Sequence, residues 1–223
     1  MYEIVKRQKG ITGLETAIIL IAFVVVSAVL AYTVLSAGLF STQKSQEAVY
    51  SSLQKVQGSI NLKGGVTAYR DSLNEGGNGS IGRVEITVAL SSEAGQVDLT
   101  PAYTIDPQSG ALEHSAPGSN RLQIGFSDSE KSVADCAWTV KWTGNQNGDN
   151  MLDGGEKAVI TVWLHYFDGS VWGPAENENA PFLGTHYVAT GHTFTLEVRP
   201  PSGAVLAIQR TTPDFLFNVV SLE

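Results

Sequence analysis

The most constraining feature of this 223-residue sequence is a long uncharged segment near its N-terminus. Residues 16–43 contain no Asp, Glu, Lys or Arg, and 20 of the 24 residues from Ala17 to Phe40 are hydrophobic. A transmembrane helix needs about 20 consecutive apolar residues, so this segment is long enough to cross a bilayer. Any fold of the chain must therefore cover this segment with lipid or with protein.

A short basic leader precedes the apolar segment. Three basic residues against one glutamate give residues 1–10 a net charge of +2. Because positive residues remain on the cytoplasmic side of a membrane, the chain after Phe40 is expected to be exported. A secretory signal peptide has a shorter apolar core of about 7–15 residues. The pattern therefore favours a membrane anchor over an ordinary cleaved signal peptide.

Composition excludes several classes of protein. The formal net charge of −8 leaves no basic stripe for a phosphate backbone, which argues against a nucleic-acid-binding protein. Cys136 is the single cysteine, so no internal disulfide can form. With 43% hydrophobic residues the chain is long enough for a proper core, and disorder is excluded.

The sequence after Phe40 predicts that the helix continues. Apolar residues recur at spacings of four, three and four, at Val49, Leu53, Val56 and Ile60. This is helical periodicity, and it predicts one helix from about Thr12 to Ile60 that is apolar on all sides in its first half and amphipathic in its second. Gly64-Gly65 marks the expected change to another kind of structure.

The remainder of the chain has the pattern of a β-domain. Short segments of alternating apolar and polar residues are separated by Gly, Asn, Asp and Pro. The candidate strands are 84–90, 122–126, 136–142, 158–166, 192–198, 205–209 and 215–222. Seven or eight such strands predict an antiparallel, immunoglobulin-like β-sandwich, and with the helix they place the chain in the α+β class.

One polar loop between two candidate strands has the ligand spacing of a calcium site. Its oxygen ligands would be Asn145, Asn147, Asp149, the Met151 carbonyl, Asp153 and Glu156, at positions 1, 3, 5, 7, 9 and 12. Asn150 stands where the calcium loop of an EF-hand has Gly, although Asn tolerates the same backbone conformation. The alternative is a long polar hairpin loop rich in turn-forming residues.

No catalytic constellation is evident. The four histidines are scattered, and the chain has no zinc-protease, nucleophile-elbow or phosphate-loop motif. Cys136 alternates with Trp138 and Val140, which predicts a buried apolar residue rather than a nucleophile. We therefore expect no enzyme activity.

Asn78-Gly79-Ser80 is the one N-glycosylation sequon, and it lies in a Gly-rich turn.

The residues around the leader resemble a processing signal. Lys6-Arg7-Gln8-Lys9-Gly10, followed by Ile11-Thr12-Gly13-Leu14-Glu15, is similar to the type III signal of type IV pilin-like proteins. The resemblance implies cleavage between Gly10 and Ile11 by a prepilin-type signal peptidase. The mature chain would have 213 residues and a formal charge of −10. Glu15 would be its fifth residue, where pilins have an acidic residue that pairs with the α-amino group of a neighbouring subunit.

Both ends of the chain are similar to those of archaeal flagellins, or archaellins. At the N-terminus the run Gly13–Val26 carries the resemblance, and at the C-terminus it is Pro200–Leu206, continuing to Val219-Val220. Residues 63–195 match only as a variable β-domain would. The resemblance implies three parts: a cleaved leader (1–10), a helix for membrane storage and filament core (11–62), and an outer β-domain (63–223). Within the helix, Leu14, Glu15 and Phe23 are the implied assembly residues.

The function implied by this resemblance is structural. The subunit would be stored in the cytoplasmic membrane and then polymerise into the extracellular helical filament that drives swimming. Its implied partners are identical or related subunits, the signal peptidase, and a membrane assembly platform with an ATPase motor. An N-linked glycan on Asn78 and Ca²⁺ in the 145–156 loop are its expected additions.

Two other interpretations stay open at this point. An adhesive type IV pilin would share the N-terminal features. A single-span surface protein could instead use its β-domain to bind calcium or a carbohydrate.

Overall fold

A single long helix forms the N-terminal part of the molecule. In the computed structural model, which describes residues 2–73, 79–115, 122–173 and 181–222, helix α1 spans Tyr2–Gln57. Its 56 residues correspond to about 84 Å at 1.5 Å per residue. The chain divides into two compact units, residues 1–52 and 53–223. The predicted long apolar helix is thus confirmed.

The helix ends earlier than its periodicity suggests. Residue Gln57 is its last residue, and Ile60 is instead the buried first residue of a strand. A β-carbon on Gly58 would lie 1.7 Å from the Ser202 carbonyl oxygen, so the chain leaves the helix at a close backbone contact that only glycine permits. The prediction that the helical segment runs to residues 60–62 is therefore wrong, because Ile60 fits the apolar spacing of both element types.

Fifteen strands follow among the described residues. They are β1 Ile60–Arg70, β2 Ile81–Leu90, β3 Gln96–Asp98, β4 Tyr103–Ile105, β5 Leu112–His114, β6 Gln123–Ser127, β7 Ser132–Val133, β8 Ala137–Thr143, β9 Met151–Asp153, β10 Lys157–Trp163, β11 Tyr166–Phe167, β12 Trp172–Gly173, β13 Thr193–Arg199, β14 Leu206–Thr211 and β15 Val219–Leu222.

Two larger antiparallel sheets contribute to one hydrophobic core. The first has the order β15-β1-β2-β10-β8 and the second the order β14-β13-β6-β7. Alternate residues of both sheets enter the same buried cluster, among them Ile86, Ile160, Phe126 and Leu196. Burial on one face of each strand follows from the two-residue side-chain period that the sequence displays.

Gly64-Gly65 lies inside strand β1 and does not separate two elements. The pairing of β1 with β2 shifts between Leu62 and Val66, so the two glycines occupy a bulge. The φ of Gly64 is +114°, a backbone conformation that favours glycine. The expected change of structure at this dipeptide is therefore wrong, since the strand has already begun at Ile60.

Six of the seven predicted strands are found. Candidates 84–90, 122–126, 136–142, 158–166, 192–198 and 205–209 correspond to β2, β6, β8, β10, β13 and β14. In the candidate 215–222 only Val219–Leu222 is a strand, and Phe215 and Phe217 are exposed. The α+β class with antiparallel sheets is confirmed, while the narrower immunoglobulin-like topology stays a prediction.

Candidate assembly helix and polar sites

The apolar half of α1 is the largest candidate functional surface. Every side chain from Gly13 to Val56 is exposed, including the three predicted assembly residues Leu14 (66%), Glu15 and Phe23 (70%). Among the described residues, Gly13–Gln57 is the one helix long and apolar enough to cross a membrane. Such a surface in water is unfavourable by about 25 cal/mol for each Å² of apolar area. This helix therefore requires a partner surface.

Two threonine side chains in the apolar segment form hydrogen bonds to the helix backbone itself. Thr16 Oγ1 donates to the Gly13 carbonyl at 3.0 Å, and Thr33 Oγ1 donates to the Leu30 carbonyl at 2.8 Å. These bonds leave few polar groups that need water, which suits a helix surrounded by lipid or by other helices. The predicted cleavage residues Gly10 and Ile11 lie within the helical backbone of α1.

The predicted calcium loop folds around the Glu156 carboxylate. Glu156 is buried, and its two oxygens accept hydrogen bonds from the backbone N–H groups of Asn147 (3.0 Å) and Asp153 (3.1 Å). The Asn147 side-chain amide donates to Asp149 Oδ2 at 3.1 Å and to Asp153 Oδ2 at 2.9 Å. Four of the six predicted ligands are thus brought together.

The other two predicted ligands lie at the edges of this network. Met151 is in β9, opposite Asp98 of β3, and its N–H donates to Asp149 Oδ1 at 2.9 Å. Within the described part of the chain, Asn145 makes no hydrogen bond to the network. The arrangement gathers three carboxylates in one loop, with an amide N–H between two of them where a cation could instead bind.

Histidines that are far apart in sequence meet acidic residues in the fold. His186 Nε2 and His192 Nε2 lie 2.5 Å and 3.4 Å from Asp128 Oδ2. Burial raises the pKa of Asp128, but hydrogen bonds from the Lys131 and Glu130 backbone and from His186 outweigh it and hold that pKa below its usual value. Asp128 and His192 directly follow and precede paired strands, which only the sheet register reveals.

A second histidine is enclosed in the β-domain. His165 and Asp71 are both fully buried, and His165 Nδ1 lies 2.6 Å from Asp71 Oδ2. Burial raises the pKa of Asp71, yet hydrogen bonds from His165 and Ser80 lower it below its ordinary value overall. Sequence analysis missed both clusters, because the partners are 94 and 58 residues apart and no local motif joins them.

The remaining predicted positions are simple to place. Cys136 is 1% exposed, as predicted, and burial raises the pKa of its thiol to about 12. The sequon residue Asn78 lies outside the described residues. Trp138 and Trp163 are core residues.

Comparison with known proteins decides the family. The model for archaeal-type flagellin matches residues 10–210, which is most of the chain. The chain belongs to the archaeal-type flagellins.

Relatives of this flagellin extend along nearly its whole length. Probable flagellin 2 of Archaeoglobus fulgidus is 32% identical over 220 residues, covering 96% of this chain and 94% of the relative. Probable flagellin 1 of Aeropyrum pernix is 30% identical over 220 residues, covering 93% and 94%. Among solved structures, the archaeal flagellum of Methanospirillum hungatei strain JF1 matches with a TM-score of 0.55 at 25% identity, covering 94% of this chain and 98% of that one.

The resemblance seen at the two ends of the sequence is thus confirmed for the flagellin as a whole. The long exposed helix and the antiparallel sheets also agree with the flagellum structure.

Proposed function

We propose that this flagellin is a structural subunit that polymerises through α1 into an extracellular helical filament, and that the filament drives swimming. The observation that carries the proposal is the fully exposed apolar surface of α1. Membership of the flagellin family and the similarity to the M. hungatei flagellum support it.

The physics of α1 favours two successive environments. Each large apolar side chain contributes about 1.5–3 kcal/mol when it leaves water. Both lipid and a bundle of helices would cover this surface. The helix is stored in the cytoplasmic membrane before assembly and packs against identical or related subunits afterwards. Because leaving lipid offsets much of the gain, an ATPase-driven membrane platform supplies the work of assembly.

Processing of the leader links the two environments. A prepilin-type signal peptidase cuts between Gly10 and Ile11, which removes a net charge of +2 and creates a new α-amino group. Glu15 in the apolar part of a neighbouring helix then has a cationic partner. A lone carboxylate in such surroundings is unfavourable unless it is paired.

Mass spectrometry of subunits from sheared filaments tests this proposal. The expected chain starts at Ile11 and has 213 residues. Intact Met1 on filament subunits would contradict it. As a control, Gly10→Val is expected to keep the leader attached and to leave the chain in the membrane fraction.

Deletion of the gene is expected to abolish swimming, whereas lost surface attachment with normal swimming would point to an adhesive pilin.

A calcium ion in the 145–156 loop is a second part of the proposal. The support is that Asp149 and Asp153 both accept from the Asn147 side-chain amide, while Glu156 accepts from the Asn147 backbone N–H. Calcium is expected to raise the melting temperature of the wild type but not of the Asp149→Ala/Glu156→Ala variant. Asp106→Ala is the matched control, because Asp106 also accepts backbone N–H groups in an exposed turn. Equal calcium effects in all three proteins would contradict the site.

An N-linked glycan on Asn78 completes the proposal. Its support is the sequon Asn78-Gly79-Ser80 on an exported chain. Asn78→Gln is expected to remove one glycan mass from the filament subunit, and an unchanged mass would contradict it.

A further inference from the structure

One carboxylate and two imidazoles form a cluster at one end of the four-stranded sheet. Asp128 directly follows β6, and His192 directly precedes β13. Because Ser127 pairs with Thr195 in this antiparallel sheet, these two positions lie at the same end of the two strands. His186, in the segment before β13, supplies the third side chain.

The three side chains direct their ligand atoms at one another. Asp128 Oδ2 lies 2.5 Å from His186 Nε2 and 3.4 Å from His192 Nε2, and all three atoms are within 4.8 Å of one another. Four atoms bound tetrahedrally to Zn²⁺ at its usual bond lengths are separated by about 3.4 Å. The Asp128–His192 contact matches that separation, and the Asp128–His186 contact is about 1 Å shorter.

The carboxylate is already oriented for a ligand. Asp128 Oδ1 accepts hydrogen bonds from the backbone N–H groups of Glu130 (2.8 Å) and Lys131 (2.7 Å). These bonds fix the side chain within the β6–β7 turn and leave Oδ2 facing the two rings. A carboxylate held in this way binds one metal ion through its second oxygen without rearrangement of the backbone.

The two imidazoles differ in their hydrogen bonding. The His186 ring donates from Nε2 to Asp128 Oδ2, and its Nδ1 lies 3.7 Å from Glu130 Oε2. His192 Nε2 is buried and has no hydrogen-bond partner. A buried polar nitrogen without a partner is unfavourable, and this one lies 3.4 Å from the carboxylate oxygen that His186 already occupies.

We propose that Asp128, His186 and His192 form a binding site for a divalent transition-metal ion of the zinc type. Two neutral imidazoles and one carboxylate are a ligand set that Zn²⁺ prefers, with a water molecule in the fourth position. The metal replaces the proton that His186 shares with Asp128 and gives His192 Nε2 its missing partner.

The site is open to entry of an ion. The Asp128 side chain is fully buried, but 14% of the His186 side chain and 23% of the His192 side chain are exposed. A bound ion would join the β6–β7 turn to the segment that leads into β13, and so stabilise this end of the outer domain. The site is distinct from the 145–156 loop, whose ligands are all oxygens.

Calorimetric titration of Zn²⁺ into the chelator-treated full-length chain in detergent tests the proposal. We expect one Zn²⁺ per chain and a rise in melting temperature. Because His192 Nε2 makes no hydrogen bond without metal, His192→Gln is expected to retain the fold yet to weaken binding more than 100-fold. Glu130→Gln is expected to weaken it by about 10-fold, as for other residues that orient a ligand.

Matched controls separate this site from other metal binding. His114→Gln removes an exposed histidine of β5 and is expected to bind Zn²⁺ as the wild type does. The Asp149→Ala/Glu156→Ala variant is likewise expected to keep one Zn²⁺ per chain. Absence of Zn²⁺ binding, or equal affinity in the wild type and His192→Gln with metal-free melting temperatures unchanged, would overturn the proposal. If His192→Gln does not fold, His186→Gln is the substitute, and unchanged affinity there has the same meaning.

Discussion

At the scale of single residues, His165 and Asp71 form a buried hydrogen-bonded pair. His165 Nδ1 faces the Asp71 carboxylate at 2.6 Å, and its Nε2 faces the His186 carbonyl oxygen at 3.0 Å. The carboxylate also accepts from Ser80 Oγ at 2.6 Å and from the Ser80 backbone N–H at 3.2 Å. The Asp71 carboxylate is thus held by hydrogen-bond partners inside the β-domain.

Removal of one partner from this pair is expected to destabilise the β-domain strongly. Asp71→Asn breaks this buried pair, so the free energy of unfolding should fall by about 3–5 kcal/mol. Denaturant unfolding followed by tryptophan fluorescence measures the change. Asp106→Asn, on an exposed aspartate, is the control and should change the value far less. Equal losses in both variants would show that the pair contributes nothing special.

The lowered pKa of Asp71 also predicts a dependence on pH. A carboxyl group with a lower pKa in the folded chain than in the unfolded chain stabilises the fold above the unfolded pKa of about 3.9. That contribution is lost as the pH falls through the lower folded pKa. The wild type should therefore lose melting temperature more steeply than Asp71→Asn between about pH 5 and pH 2. Parallel curves would contradict this assignment.

The single thiol is expected to be inert in the folded chain. Cys136 is 1% exposed, and burial and the nearby Asp135 carboxylate raise its pKa to about 12, so almost no thiolate exists at pH 8. A thiol reagent followed by absorbance should label the chain only after denaturation. Rapid labelling of the folded chain would contradict the buried position.

Local chemistry in the sequence predicts some of these residues and not others. The 145–156 loop is predictable because its ligands follow one another at fixed spacing, and four of them do meet. The ligands of the histidine cluster come from separate turns, and His186 and His192 acquire a common carboxylate only through the β6–β13 register. Periodicity predicts which face of a strand is buried, but it carries no information on which strands are neighbours.

At the scale of elements, the bulge in β1 gives a direct comparison of two adjacent glycines. Gly64 has φ +114°, whereas Gly65 does not have a positive φ, and a β-carbon there would meet only Ser221 Oγ at 3.5 Å. Gly64→Ala is expected to lower the free energy of unfolding by about 1–3 kcal/mol through backbone strain. Gly65→Ala should change it less, and thermal unfolding of both variants measures the difference. A greater loss in Gly65→Ala would contradict the bulge geometry.

The length of an element decides how well sequence predicts it. Helix α1 and the long strands β2, β8, β10 and β13 have enough periodic residues for the pattern to be unambiguous. Strands of two or three residues, such as β4 or β9, have too few. At the end of α1, Ile60 satisfies a helical spacing and a strand alternation equally, and the decision depends on the Gly58–Ser202 contact, which is distant in sequence.

At the scale of the whole molecule, the charge of α1 is concentrated at its ends. Glu15 is followed by the uncharged residues 16–43, and the next charges are Lys44 and Glu47, which pair with each other at 2.6 Å. The Lys44–Glu47 pair is exposed to solvent and does not need a charged partner from another subunit. Glu15 has no such neighbour within the apolar run, and in the proposed filament we expect its counter-charge to be the Ile11 α-amino group of a neighbouring subunit.

Neutralising Glu15 is therefore expected to impair assembly without impairing processing. Glu15→Gln should still be cut after Gly10, but the α-amino group of Ile11 in the adjacent subunit would enter the bundle without a carboxylate partner. Immunoblots of sheared filaments and of membranes should show the mature variant retained in the membrane fraction. Glu47→Gln, on the same helix, is the control and should assemble normally because exposed ion pairs contribute little. Normal filament yield from Glu15→Gln would mean that subunit register is set by apolar packing alone.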